Sequence, residues 1–120
     1  MFQQMMIIGY LGSDPEMRYT QSGVAVTGFS VATTEKWTGA DGEKHEDTTW
    51  FRVSAWGKLA DLTHQYLKKG RLVMVQGTVK TSAFSKQDGT PGASLELRAQ
   101  VVKFLPDGKN HDRQEEEYNF

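Results

Sequence analysis

The side chains best suited to chemistry in this 120-residue chain lie in one short run, Trp50-Phe51-Arg52-Val53-Ser54-Ala55-Trp56. In an extended strand successive side chains point to opposite faces. Phe51, Val53 and Ala55 then share a face that supplies core or interface packing, and Trp50, Arg52, Ser54 and Trp56 share the other. An outward face of two indoles around a guanidinium is costly on a soluble domain unless something covers it. Nucleobases can cover it. Every base has a π-face, stacking contributes about 1–3 kcal/mol per base, and an interleaved Arg pairs with phosphate or adds cation–π attraction. The plainer reading buries one indole and leaves the other as scattered exposure, the common fate of a single Trp. Two tryptophans at matched parity beside Arg52 argue against it.

Further aromatics and cations follow the same geography. Trp37 closes the second strand at the mouth of the Thr38–Asp47 loop, and Phe84 closes the fourth at the mouth of the Ser85–Gly92 loop. Each either extends a stacking track beyond the barrel face or staples its own hairpin. Lys36 precedes Trp37, Lys58 follows Trp56, Arg71 and Lys80 lie in or near the fourth strand, and Lys86 is beside Phe84. Singly these are ordinary solvated charges; their pairing with aromatics is the signal.

Catalytic and metal chemistry find little support. His45, His64 and His111 fall in a loop, a helix and a tail without ligand spacing, so no metal site is expected. No phosphate-binding loop, nucleotide fingerprint or nucleophile elbow is present, and no cofactor or catalytic residue is expected. The carboxylates of Asp14, Glu16, Asp41, Glu43, Glu46 and Asp47 sit in segments that read as solvated loops.

The formal net charge is −1, which at first opposes an anionic partner. Residues 1–106 nevertheless carry twelve Lys and Arg against ten Asp and Glu, and residues 107–120 carry two against five. The acidity therefore sits in the tail, and the mildly basic body permits nucleic-acid binding without demanding it. Absence of cysteine excludes disulfides and thiolate metal sites and suits a reducing compartment. Met5-Met6-Ile7-Ile8 is too short and lacks the preceding basic residue of a signal peptide, and no segment is long enough to span a bilayer.

The elements that must position these residues are mostly strands. Two-residue alternation marks Gln3–Leu11, Val24–Thr34, Thr48–Trp56, Leu72–Phe84 and Ser94–Leu105, separated by Gly, Pro, Asp and Ser clusters. One helix is expected at Lys58–Lys69, with Leu59, Leu62, Tyr66 and Leu67 on its apolar face and Gly70 as its stop. A lone helix after three strands and before two more is the order of a five-stranded oligonucleotide-binding (OB) barrel, whose open end the helix plugs. In the second strand Val24 and Val26 are out of phase with Phe29 and Val31, which predicts a β-bulge at Gly28. A similar slip runs through Arg98–Leu105, where Leu95, Leu97, Ala99 and Val101 share one face and Val102 and Phe104 the other. After Leu105 the pattern ends. One all-β domain over residues 1–105 is expected, followed by a short disordered acidic tail over 106–120.

These residues resemble the bacterial-type single-stranded DNA-binding protein (SSB) family over about residues 3–105. The matching strings are Ile8-Gly9-Tyr10-Leu11-Gly12-Ser13-Asp14-Pro15-Glu16-Met17-Arg18-Tyr19, Phe29-Ser30-Val31-Ala32-Thr33-Thr34-Glu35-Lys36-Trp37, Trp50-Phe51-Arg52-Val53, Trp56-Gly57-Lys58-Leu59-Ala60 and Tyr66-Leu67-Lys68-Lys69-Gly70. The resemblance implies a non-catalytic OB protomer, usually in a homotetramer, that sheathes single-stranded DNA during replication, recombination and repair, in the cytoplasm at the nucleoid. The family's stacking aromatics fall on Trp37, Trp50, Trp56 and Phe84, with Trp56 in place of the commoner Phe and Phe84 in place of the commoner Trp. Phe51 stands where many members have His, on a surface near a subunit contact. Typical members end in a long linker and an acidic tip that binds replication and repair enzymes. Here Glu115, Glu116, Glu117, Tyr118 and Phe120 keep the acidic run and a terminal Phe without its Pro, as a reduced partner-binding tip or a solubilising tail. Two other roles compete: a replication-restart accessory protein, whose relatives tend to lose the stacking aromatics kept here, and a single-stranded RNA binder, which stacking alone does not distinguish.

Overall fold

A computed structural model describes residues 1–106. The chain order is β1 (Met5–Leu11), β2 (Glu16–Tyr19), β3 (Ala25–Thr38), β4 (Lys44–Trp56), α1 (Lys58–Tyr66), β5 (Leu72–Ser85) and β6 (Pro91–Phe104). Strands pair in the order β1-β5-β6-β4-β3-β2, and a further β1–β3 pairing closes β1, β5, β6, β4 and β3 into a five-stranded barrel. All pairings are antiparallel except β4–β6, which is parallel. The five expected strands are therefore the five of the barrel. β2 was not foreseen: it is a four-residue strand hydrogen-bonded to β3 outside the closed ring, with mostly exposed side chains that leave no apolar alternation.

The barrel closes around inward side chains of alternate parity, among them Ile7, Phe29, Val31, Val53, Val75 and Leu97. Phe51 joins them. It is 7% exposed, flanked by Val31 on β3 and Leu95 on β6, so its side chain belongs to the core and not to the surface that the resemblance implied.

The expected bulge at Gly28 is absent. The β3–β4 ladder runs unbroken from Val26 opposite Trp56 to Thr38 opposite Lys44. The inward position belongs instead to Thr27, fully buried, whose hydroxyl donates to the Ala60 carbonyl at 2.7 Å. A hydroxyl satisfied in this way can be buried at little cost. Val26 keeps the opposite phase and is covered on the outer side, beside Arg18 of β2 and Trp56 of β4. The slip expected in the last strand does occur: Gln76 pairs with Val101 and Gly77 with Ala99, so Gln100 is the extra residue that turns Val102 into the core.

Helix α1 ends at Tyr66, short of the expected Lys69, because Leu67 is already extended. It buries Ala60 and Thr63, with Leu67 just beyond it, and Leu59 packs on the same core. Leu62 and Tyr66 point outward, contrary to the expected face, and Tyr66 lies against Phe104. Both stripes have helical spacing, and the buried one was concealed by Thr63, whose hydroxyl bonds back to the Leu59 carbonyl at 2.8 Å. Gly70 lies past the helix in a separate turn, where its amide donates to the Leu11 carbonyl.

The two expected hairpin loops are shorter than the sequence suggested, because strand continues into both of them. β3 and β4 continue as a two-stranded arm to a tight turn at 39–43, and β5 and β6 do the same to a turn at 86–90. Both tips place a glycine at positive φ, Gly42 at 80° and Gly89 at 85°, a backbone conformation that a side chain would strain.

Candidate nucleic-acid interface

The register of β4 decides which side chains leave the barrel together. Trp50, Arg52, Ser54 and Trp56 lie opposite Ala32, Ser30, Gly28 and Val26 of β3, all on the outer face. On its other side β4 runs parallel to β6, with Arg52 beside Glu96 and Ser54 beside Arg98. β6 in turn sets Arg98 against Thr78, Glu96 against Lys80 and Gly92 against Phe84 on β5. One continuous surface thus carries Trp50, Arg52, Trp56, Arg98, Lys80 and Phe84. Part of it is an open groove of about 530 Å³ floored by Gly28, Ser30, Arg52, Ser54 and Trp56 and walled by Met17 of β2.

Each aromatic is held differently. Trp50 is 55% exposed and rests one side of its ring against Gly12, where a Cβ would overlap the indole. The Gly12 amide is bonded to the Ser30 carbonyl at 3.0 Å, so the backing is rigid. Trp56 is half-buried, donates from Nε1 to Ser54 Oγ at 3.2 Å, and carries the Arg98 guanidinium 4.6 Å from its ring centroid. Phe84 is 48% exposed and lies over Gly92 on the β5–β6 arm, with the Lys86 stem near the same glycine. Trp37, 47% exposed, is on the opposite face of the β3–β4 ribbon from Trp50 and stacks on His45, centroids 5.5 Å apart and planes 24° apart. His45 Nε2 is 3.7 Å from the Asp41 carboxylate. Trp37 and Phe84 therefore do staple their own hairpins while keeping an exposed part.

Of the expected cations, Arg52 and Lys80 are on the shared barrel surface, and Lys36 is on its continuation along the arm. Lys86 is in the β5–β6 turn, and Lys58 opens α1, off the sheet face; all five are exposed. At that turn the Asp88 carboxyl is held below its ordinary range by a hydrogen bond from the Thr90 hydroxyl and another from the Thr90 amide. Arg98 and Glu96 were missed by sequence reasoning. Their outward parity beside Leu95 and Leu97 was visible; that β6 lies against β4 was not. Glu115, Glu116, Glu117, Tyr118 and Phe120 lie outside the described residues. Among the described residues no group of three or more His, Asp or Glu could hold a metal ion, and no helix is long and apolar enough to cross a membrane.

A closed five-stranded barrel plugged by one helix, with an open aromatic and cationic face, defines an OB-fold protein. The single-strand binding protein family model matches residues 2–105. The chain belongs to that family. It is 38% identical over 109 residues to a single-stranded DNA-binding protein of Neisseria meningitidis, covering 91% of this chain and 62% of that protein. It is 48% identical over 81 residues to single-stranded DNA-binding protein 1 of Chlorobaculum tepidum, covering 68% and 50%. The chain thus spans between half and about three-fifths of the length of these relatives. Among solved structures it is similar to the SSB of Plasmodium falciparum in complex with ssDNA, with TM-score 0.75 and 29% identity over 88% of this chain and 97% of that one. A deletion mutant of the Thermus aquaticus single-stranded DNA binding protein gives TM-score 0.71 and 28% identity over 89% and 51%.

Proposed function

We propose that this chain is a non-catalytic, sequence-tolerant binder of single-stranded DNA. The observation that carries the reading is the shared outer face of β4, on which Trp50 and Trp56 flank Arg52 with the core directly behind them. Bases stack on the indoles and Phe84, and phosphates meet Arg52, Lys80 and the cations of the two arms, Lys36 and Lys86, while Lys58, at the start of α1 and off the sheet face, adds positive charge beyond it. Stacking accepts any base, so the sheath is indifferent to sequence. A relative solved with ssDNA supports the same reading.

Protomers join through β1, whose outward Met6, Ile8 and Tyr10 are exposed and whose Met5–Gly9 stretch is paired on one edge only, with β5. An open edge with an apolar face invites a second copy, and the assembly is a homo-oligomer, a tetramer by family resemblance. The setting is DNA replication, recombination and repair at the nucleoid, with the acidic run Glu115–Glu117 and the following Tyr118 and Phe120 offered to replication or repair enzymes.

The test is tryptophan emission titrated with oligo(dT), oligo(U) and duplex DNA of equal length. Strong quenching by oligo(dT) and little by duplex is expected, because only unpaired bases reach the indoles. Equal quenching by duplex overturns the stacking mechanism, and preference for oligo(U) reassigns the substrate to RNA. A monomeric mass by light scattering at micromolar concentration removes the β1 assembly.

A further inference from the structure

Arg98 has no role in the reading above, yet it occupies the place where a base would stack. Its guanidinium lies 4.6 Å from the centroid of the Trp56 ring, which is itself pinned by the Nε1 bond to Ser54. The β4–β6 and β5–β6 registers put Arg98 between Ser54 and Thr78, both uncharged, in the middle of the outer face. Among the described residues no carboxylate lies within ion-pair distance of it, so the indole is what holds the guanidinium in the free protein.

We propose that Arg98 is a phosphate-binding residue coupled to the Trp56 stacking position. This rests on the single-stranded DNA reading. A cation over an indole that water reaches is held more weakly than a base stacked on the same ring. An arriving base therefore takes the ring face, and the displaced guanidinium, still charged and anchored on the neighbouring strand, meets the phosphate flanking that base. Trp56 thus keeps Arg98 off its neighbour Glu96, two residues away on the same face, until a nucleotide arrives. The pair needs both members: a smaller ring at position 56 offers the guanidinium less surface, and a neutral residue at 98 leaves the base without its nearest counter-charge.

The experiment is equilibrium binding of labelled oligo(dT), by anisotropy, to the full chain and to Arg98→Ala and Arg98→Lys over 50 to 200 mM salt. One lost phosphate contact on a single strand lowers the slope of log K against log[salt] by about 0.7. Arg98→Ala is expected to bind about tenfold more weakly at 50 mM, with the deficit shrinking about 2.6-fold by 200 mM. Arg98→Lys is expected to restore the slope, and the thermal midpoint of each variant to stay close to the parent's. Arg98→Ala binding with the parent's slope overturns the proposal: tighter binding would make Arg98 a lid on Trp56, and weaker binding with a lowered midpoint would make it structural. If the unmodified chain shows no salt-dependent binding, the single-stranded DNA reading fails and the role of Arg98 fails with it.

Discussion

β3 and β4 form one antiparallel ladder that serves two different regions. In its inner half, Ala32 to Val26 against Trp50 to Trp56, one face packs on the barrel core and only the other meets solvent. In its outer half, Thr33 to Thr38 against Lys44 to Thr49, nearly every side chain on both faces is exposed. On the barrel, parity alone decides which residue is core and which is available to a ligand, because a one-residue change of phase moves a side chain from oil to water. On the arm parity decides nothing of the kind. An aromatic there is oriented by its cross-strand neighbour, as Trp37 is by His45, and not by a core behind it.

The sharpest way to break this comparison is at adjacent residues of opposite phase. Phe51→Ala is expected to cost about 3–5 kcal/mol of stability, read by chemical denaturation, as for any large core side chain. Trp50→Ala is expected to leave the denaturation midpoint nearly unchanged and to weaken oligo(dT) binding by about 1–3 kcal/mol. Equal destabilisation by the two would show that the two faces of β4 are not the core and the binding surface.

The arm is expected to give smaller effects. Trp37→Ala should weaken binding by about 1 kcal/mol, at the low end of the stacking range, since a two-stranded ribbon holds the ring less firmly than a barrel does. His45→Ala should reproduce much of that loss in the parent and almost none in a Trp37→Ala background, a coupling that a double-mutant cycle measures. Additive losses would mean that His45 touches the DNA itself.

Charge on the barrel face supplies finer tests. Glu96 sits between Arg52 and Lys80 on adjacent strands, so it opposes phosphate where the cations attract it. Glu96→Gln should tighten binding about two- to fivefold at low salt and less as screening shortens the range of the repulsion. Weaker binding would show instead that Glu96 orients those cations. Smallest of all, removing residues 111–120 should leave the fold intact and binding equal or slightly tighter at low salt, because Glu115, Glu116 and Glu117 compete with phosphate; weaker binding would put the tail in the DNA site.

Much of this was legible from neighbouring residues. Period-two alternation located all five barrel strands, the phase slip before Val102 located the bulge at Gln100, and the matched parity of Trp50, Arg52 and Trp56 gave the face. Strand ends were less legible: β3 and β4 run several residues further into the arm than their apolar pattern, since a ribbon exposed on both sides needs no alternation. β2 was invisible for the same reason.

The local alphabet of turns and alternating side chains therefore determined the five barrel strands, the presence of the helix and the outward phase of the aromatics, because these depend on residues a few positions apart. What lay beside them depended on closure. Thr27 took a core position because the Ala60 carbonyl, 33 residues away, arrived to accept its hydroxyl. Ala60 and Thr63, not Leu62 and Tyr66, faced inward because of where α1 met the barrel. Arg98 came to rest on Trp56 only because β6 closed parallel to β4. Strand parity is written in each segment separately, whereas the identity of the neighbouring strand is a property of the closed barrel.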